Sequence, residues 1–196
     1  MKNYFYVFEG IDGSGKTTLI NALKLKLFKK PFYFTQEPFG NDFSVGLKDL
    51  LFKASSQNDY ICQYLLFAAA RSYHIKTIIN TNLKNNYHVI SDRFFYSSLV
   101  YQGLNIDENF IRLVYENSNY GVTVKKVFFC KIPYQIALER IEKRNINDLL
   151  DDIYKSELSL LAERYDMLFQ NDPLVVVLDM NLPIEVLIEK VLAEIN

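Results

Sequence analysis

The chain has 196 residues, 49% of them hydrophobic and 23% charged, ordinary for a soluble globular protein and long enough for one domain with a three-layer core. A formal net charge of −1 leaves no bulk basic excess, which argues against nucleic-acid or membrane-surface binding. No stretch approaches about 18 apolar residues, so neither a transmembrane span nor a signal peptide is expected, and two thiols read as buried, Cys62 and Cys130, point to a reducing, cytoplasmic setting.

The apolar run Tyr4–Phe8 predicts a first strand, and it leads into Gly10-Ile11-Asp12-Gly13-Ser14-Gly15-Lys16-Thr17, followed by Thr18. In the pattern G-x-x-x-x-G-K-[ST], glycines let backbone N–H groups approach a phosphate and a helix N-terminus completes the anion site. Lys16 then reaches the β/γ-phosphates and the Thr17 hydroxyl ligates Mg²⁺. Leu19, Leu23 and Leu27 share one helical face behind the loop. Strand and helix together favour a nucleoside triphosphate site over a glycine-rich turn that merely caps a helix.

Four more apolar runs follow, at Phe32–Thr35, His88–Ser91, Val124–Cys130 and Leu174–Leu178. Helical spacing covers roughly 16–29, 57–82, 94–102, 107–117, 133–145, 152–170 and 183–195. Near-continuous apolar strands alternating with helices predict an α/β fold with a parallel sheet covered on both faces. No repeat or linker divides the chain, so residues 1–196 read as one domain. The polar stretch 143–152 is the candidate mobile segment. Ligands in such a sheet bind beyond the carboxyl ends of the strands, which directs attention to 9–15, 36–39, 92–94 and 131 onward.

At the third strand end, Asp92 is placed to act on Mg²⁺, and Arg93 is a planar cation suited to a phosphate; a surface Asp–Arg pair is the alternative. Phe67 and Arg71 are four apart and share a helical face, which suits a nucleobase and its phosphate. The alternative has Phe67 in the core and Arg71 snorkelling, and on these two residues alone it is the favoured one. Ser98 and Gln102 share a face, as do Ser97 and Tyr101, and a side-chain amide offers the donor and acceptor that a pyrimidine edge requires.

In order and spacing, Gly10–Thr18, Thr35-Gln36-Glu37-Pro38, Leu66–Arg71, Asp92-Arg93-Phe94 and Ser97–Gly103 resemble thymidylate kinases of the bacterial type. The resemblance spans residues 5 to about 170. It implies a P-loop NTPase fold with a five-stranded parallel sheet, transfer of the γ-phosphate of ATP·Mg²⁺ to dTMP giving dTDP, and a homodimer. Carried over by residue, Phe67 stacks on thymine, Arg71 contacts the base, and Gln102 with Ser98 reads the pyrimidine edge. Arg93 holds the dTMP phosphate, Asp12 lies near the sugar 3′-hydroxyl and the acceptor phosphate, and Tyr101 lies near the deoxyribose. Glu37 and Pro38 line the acceptor pocket, and Lys48 stands where relatives commonly carry an arginine. Three departures accompany the match: Gln36 replaces an arginine, Phe39 a glycine and Ala70 a frequent acid. Arginine-to-glutamine at Gln36 and arginine-to-lysine at Lys48 both weaken bidentate anion recognition, which implies weaker dTMP binding or a re-formed phosphate site with the reaction type unchanged.

By the same resemblance, enzymes with glycine at the Gly13 position draw their catalytic cations from a lid at about 140–152. Arg140, Lys143 and Arg144 fit that arrangement, with Arg144 ahead of Arg140. The alternative is an exposed basic helix end favoured by the macrodipole. Asp148 and Asp151 align loosely with an acidic pair of the bacterial lid. His74 and His88 receive no catalytic role. Another small-acceptor kinase, acting on dUMP or a deoxynucleoside, is the runner-up. A GTP-dependent switch would need Asn-Lys-x-Asp and an Asp-x-x-Gly after the third strand, and neither occurs. A catalytically silent nucleotide-binding protein would have lost Lys16, Thr17 or Asp92, and all three are present.

Overall fold

The computed structural model describes residues 3–40, 42–143 and 154–195. Five parallel strands form one sheet, β1 (Phe5–Glu9), β2 (Phe32–Gln36), β3 (His88–Asp92), β4 (Val124–Lys131) and β5 (Val175–Asp179), in the order β2-β3-β1-β4-β5. Each begins and ends within one residue of its predicted run. The helices are α1 (Lys16–Lys26), α2 (Leu47–Ser56), α3 (Tyr60–His74), α4 (Asn80–Lys84), α5 (Phe95–Tyr101), α6 (Glu108–Ser118), α7 (Tyr134–Lys143), α8 (Leu158–Phe169) and α9 (Ile184–Glu194).

All five residues of β1 are buried, and the pleat sends successive side chains to opposite faces. Tyr6 and Phe8 pack with Leu19 and Leu23 of α1, Leu161 of α8 and Val191 of α9. Phe5 and Val7 pack with Tyr64 of α3, Leu99 of α5 and Ile111 of α6. One apolar strand thus joins two cores, which is why it reads as a continuous run rather than an alternation.

Three expectations change. The predicted 57–82 helix is α3, a π-helical turn at Ile75–Ile79 and α4, so its last third does not continue one regular face. Helix α2 was not expected at all: Leu47, Leu51 and Ala54 point inward at helical spacing, but exposed Leu50 and Phe52 interrupt the pattern. Of the two thiols, Cys130 is buried and pushed up to about 12 by that burial, whereas Cys62 is exposed. An apolar sequence neighbourhood does not reveal which side of α3 a residue occupies. None of the described helices is long and apolar enough to cross a membrane.

At the entry of β3, His88 stacks on Phe32 with ring centroids 4.9 Å apart, and its Nδ1 accepts the Tyr4 N–H at 3.2 Å. Burial lowers its pKa. The unfolded chain therefore takes up a proton first, so this contribution is complete above about pH 6.5 and is lost as pH falls below it. His88→Asn keeps an acceptor without titrating and is expected to shrink the fall in melting temperature between about pH 7 and 5; an undiminished fall would assign it to other groups.

Candidate active site

Strand register builds the site. Phe8 pairs with Asp92 on one side and Phe128 on the other, and Gln36 pairs with Asp92, so the carboxyl ends of β2, β3 and β1 finish level. Beyond them opens a cleft of about 1050 Å³. It is lined by Asp12 through Thr17 of the phosphate loop together with Phe67, Arg71, Ser98 and Gln102, and Tyr101 lines it beside Asp12.

The phosphate loop turns through left-handed backbone at Gly13, φ 75°, and Gly15, φ 94°. A Cβ at Gly13 would drive into the Ala137 carbonyl of α7, so the loop has no room for any side chain there. Lys16 Nζ donates to the carbonyls of Gly10 at 2.9 Å and Ile11 at 2.8 Å and to Ser14 Oγ at 3.3 Å. Burial, and next the charge of Arg93, lowers its pKa, with Asp92 and Asp12 opposing. The ammonium is thus held within the loop at the N-terminus of α1, the place where a helix favours an anion.

Beside the loop, Thr17 Oγ1 donates to Asp92 Oδ2 at 2.9 Å. Asp92 Oδ1 is buried with no hydrogen-bond partner among the described residues. A hydroxyl next to an under-satisfied carboxylate is a hard oxygen donor pair, which fits Mg²⁺ bound through few protein ligands.

Arg93 has φ 66°, a left-handed conformation that costs about 1–3 kcal/mol in a non-glycine residue. Its fork is held on four sides. Nη2 pairs with Asp12 Oδ1 and donates to Tyr101 Oη at 3.2 Å; Nη1 donates to Ser97 Oγ at 3.0 Å and Tyr165 Oη at 3.4 Å. Tyr101 Oη donates to Asp12 Oδ2 at 2.8 Å. Burial would raise Asp12, but Arg93 and Lys16 outweigh it and hold the carboxyl below its usual range. Behind this cluster sits fully buried Glu9, which accepts from Phe94 N at 2.8 Å, Ser97 Oγ at 2.7 Å and Tyr165 Oη at 2.8 Å. Burial raises its pKa, with Arg93 the main opposing influence. Glu9 and Tyr165 thus clamp the turn that aims Arg93.

Elsewhere in the cleft, Arg71 is only 6% exposed and does not snorkel. Its Nε donates to Glu37 Oε2 at 2.7 Å and its Nη2 to Ser98 Oγ at 2.9 Å. Burial would raise Glu37, but Arg71 and His74 overcome it and hold the carboxyl down. Pro38 and half-buried Phe67 line the cleft, with Phe67 also packed against Leu47 and Leu51 of α2. Gln102 Nε2 donates to Tyr154 Oη at 3.4 Å, and the Tyr154 ring meets Tyr101 edge-on at 5.1 Å.

The departures have structural accounts. Ala70 is 1% exposed against Leu47 and Leu51, where an acid would be desolvated without a partner. Phe39 joins the same apolar cluster and carries Lys48 Nζ 5.0 Å above its ring. Lys48 itself is exposed on α2 and is not among the residues lining the cleft, so the structure does not bring it to the other candidates. Gln36 lines the cleft at the end of β2.

Arg140 reaches the phosphate loop from α7, with Nη1 3.4 Å from the Ser14 carbonyl oxygen. With Gly13, Gly15, Thr18, Lys143 and Met180 it lines a second cavity, of about 440 Å³. Arg144, Asp148 and Asp151 lie outside the described residues. Sequence reasoning missed Tyr154 and Tyr165, gave His74 no catalytic role, and marked Glu9 only as a strand end. An acid closing an otherwise apolar strand was the available signal for Glu9; the other three contacts form between distant segments.

A family model described as thymidylate kinase matches residues 8–191. A thymidylate kinase of Prochlorococcus marinus (strain NATL2A) is 38% identical over 159 residues, covering 76% of this chain and 74% of that one. One from Mycoplasma genitalium is 33% identical over 163 residues, covering 80% and 76%. The crystal structure of thymidylate kinase from Ehrlichia chaffeensis superposes with a TM-score of 0.75 at 26% identity, over 98% of this chain and 99% of that one.

Proposed function

The chain belongs to the thymidylate kinase family, and on that premise we propose how its cleft phosphorylates dTMP to dTDP with ATP as donor. The observation that carries the reading is one continuous cleft lined by the phosphate loop together with Phe67, Arg71 and Gln102. A donor phosphate on the loop and a nucleotide base on Phe67 and Arg71 place the acceptor phosphate between them, beside Arg93 and Asp12.

Phosphoryl transfer asks for alignment and charge neutralisation more than for covalent chemistry. Residues 10–18 hold the ATP phosphates, with Lys16 on the transferred group. Thr17 and Asp92 would hold Mg²⁺, which neutralises phosphate charge when bound. Arg93, already oriented by its four partners, grips the acceptor phosphate, and preorganised charge of this kind needs little rearrangement in the transition state. The dTMP phosphate is a dianion near neutral pH, so no general base is required. Asp12 and Tyr101 border the deoxyribose, Phe67 stacks on thymine, and Arg71, Ser98 and Gln102 address its edge. Arg140 supplies a cation from the α7 side, since a side chain at Gly13 would displace α7, and Arg144 keeps the catalytic role that the resemblance implies. A cytoplasmic homodimer completes this reading, supported by the bacterial resemblance.

The direct test is ADP release from ATP·Mg²⁺ in a panel of dTMP, dUMP, dCMP, AMP, GMP, UMP and thymidine. Stimulation by dTMP, with a weaker dUMP signal, is expected. Stimulation by another acceptor alone would keep the kinase and discard the assignment of Phe67, Arg71 and Gln102. In the same assay Phe67→Ala is expected to raise KM for dTMP about tenfold or more while leaving KM for ATP nearly unchanged, since stacking is lost from the acceptor alone. Equal effects on both substrates would mark Phe67 as a core residue whose loss loosens the domain.

A further inference from the structure

His74 is 1% exposed and lies three residues after Arg71, on the same face of α3. It is held at both ring nitrogens: Nδ1 lies 3.1 Å from Glu37 Oε1, and Nε2 lies 2.6 Å from Thr35 Oγ1. One neutral tautomer satisfies both contacts, with Nδ1–H donating to Glu37 and Nε2 accepting the Thr35 hydroxyl proton. Glu37 is therefore gripped from two sides, Oε2 by Arg71 and Oε1 by His74. A carboxylate with one partner turns freely about its last torsion, which is broad and two-fold. The second partner removes that freedom and fixes the carboxylate oxygen to which Arg71 Nε donates. Thr35 in turn ties the ring to β2, whose register is set by the sheet.

We propose that His74, seated on Thr35, is a positioning residue for acceptor-base recognition: it fixes Glu37 and thereby the orientation in which Arg71 meets the base. The inference rests on the assignment of Arg71 to the acceptor base. His74 contacts Thr35 and Glu37 and reaches Arg71 through Glu37, and among the described residues none of these three side chains hydrogen-bonds residues 10–18, so its effect is expected on the acceptor.

Steady-state kinetics with dTMP and ATP varied separately, on the full chain and on Arg71→Ala, His74→Phe, His74→Asn and Thr35→Val, decide it. His74→Phe is expected to raise KM for dTMP about tenfold or more, the scale of losing a hydrogen bond to a charged group, with KM for ATP unchanged. Asparagine retains a short donor toward Glu37 and is expected to recover most of that loss. Thr35→Val is expected to raise KM for dTMP about threefold, the scale of a neutral hydrogen bond. If Arg71→Ala raises KM for dTMP while His74→Phe does not, the proposal is overturned and the Arg71 assignment stands. If Arg71→Ala leaves KM for dTMP unchanged, the Arg71 assignment itself is wrong and the proposal falls with it. A parallel rise for both substrates, without recovery by asparagine, makes His74 merely structural. Should His74→Phe fail to fold, Thr35→Val decides alone: a selective rise for dTMP sustains the proposal and no rise overturns it.

Discussion

Lys16→Ala is expected to lower kcat by about a thousandfold or more, with little change in melting temperature. The loss follows from charge that develops on the transferred phosphoryl group, where one preorganised donor is worth about a hundred- to a thousandfold, and a cation at this position about a thousandfold or more. Stability should survive for a separate reason. The lowered pKa of Lys16 means that the fold penalises its charged form, burial being the main cause, so alanine removes an unfavourable burial along with three hydrogen bonds. ADP release and a thermal melt on the same preparation check both halves. Turnover within tenfold of the parent would take Lys16 out of the chemistry.

The second large effect is expected at Arg93. Arg93→Ala removes the proposed anchor for the acceptor phosphate and strips Asp12 of its principal counter-charge. A fall in kcat/KM for dTMP of about a hundred- to ten-thousandfold is expected, with KM for ATP far less affected. The Asp12 carboxyl should then rise, since burial, now opposed mainly by Lys16 and Tyr101, pushes it up. Residual activity of the variant should therefore decline on acidification at a higher pH than the parent's. Arg93→Lys is expected to restore little, because an ammonium cannot bond Asp12, Ser97, Tyr101 and Tyr165 together as a planar fork does. Recovery to within a few-fold by lysine would show that charge alone suffices there.

The donor half of the site was legible in the chain because its parts are contiguous. A strand, a glycine-rich turn and a helix start within residues 5–27 specify backbone geometry locally, and Lys16 and Thr17 follow by spacing. The other half was legible only as pairs on helical faces; by themselves the residues favoured a core Phe67, which does pack against Leu47 and Leu51, and a snorkelling Arg71, which the structure contradicts. Arg71 is not a snorkelling surface cation but a buried one, and its partner Glu37 comes from a different strand end, 34 positions away.

Local periodicity and turn chemistry determined the strands and the phosphate loop with its lysine and threonine, since each depends on neighbours within a few residues. Tertiary structure alone decided which buried charges meet. Glu9 with Tyr165, Arg93 with Asp12 and Tyr101, and His74 with Thr35 and Glu37 are contacts across 8 to 156 positions. Such pairings are set by sheet register and by helices crossing over strand ends, and a desolvated charge is tolerated only where they deliver its partner.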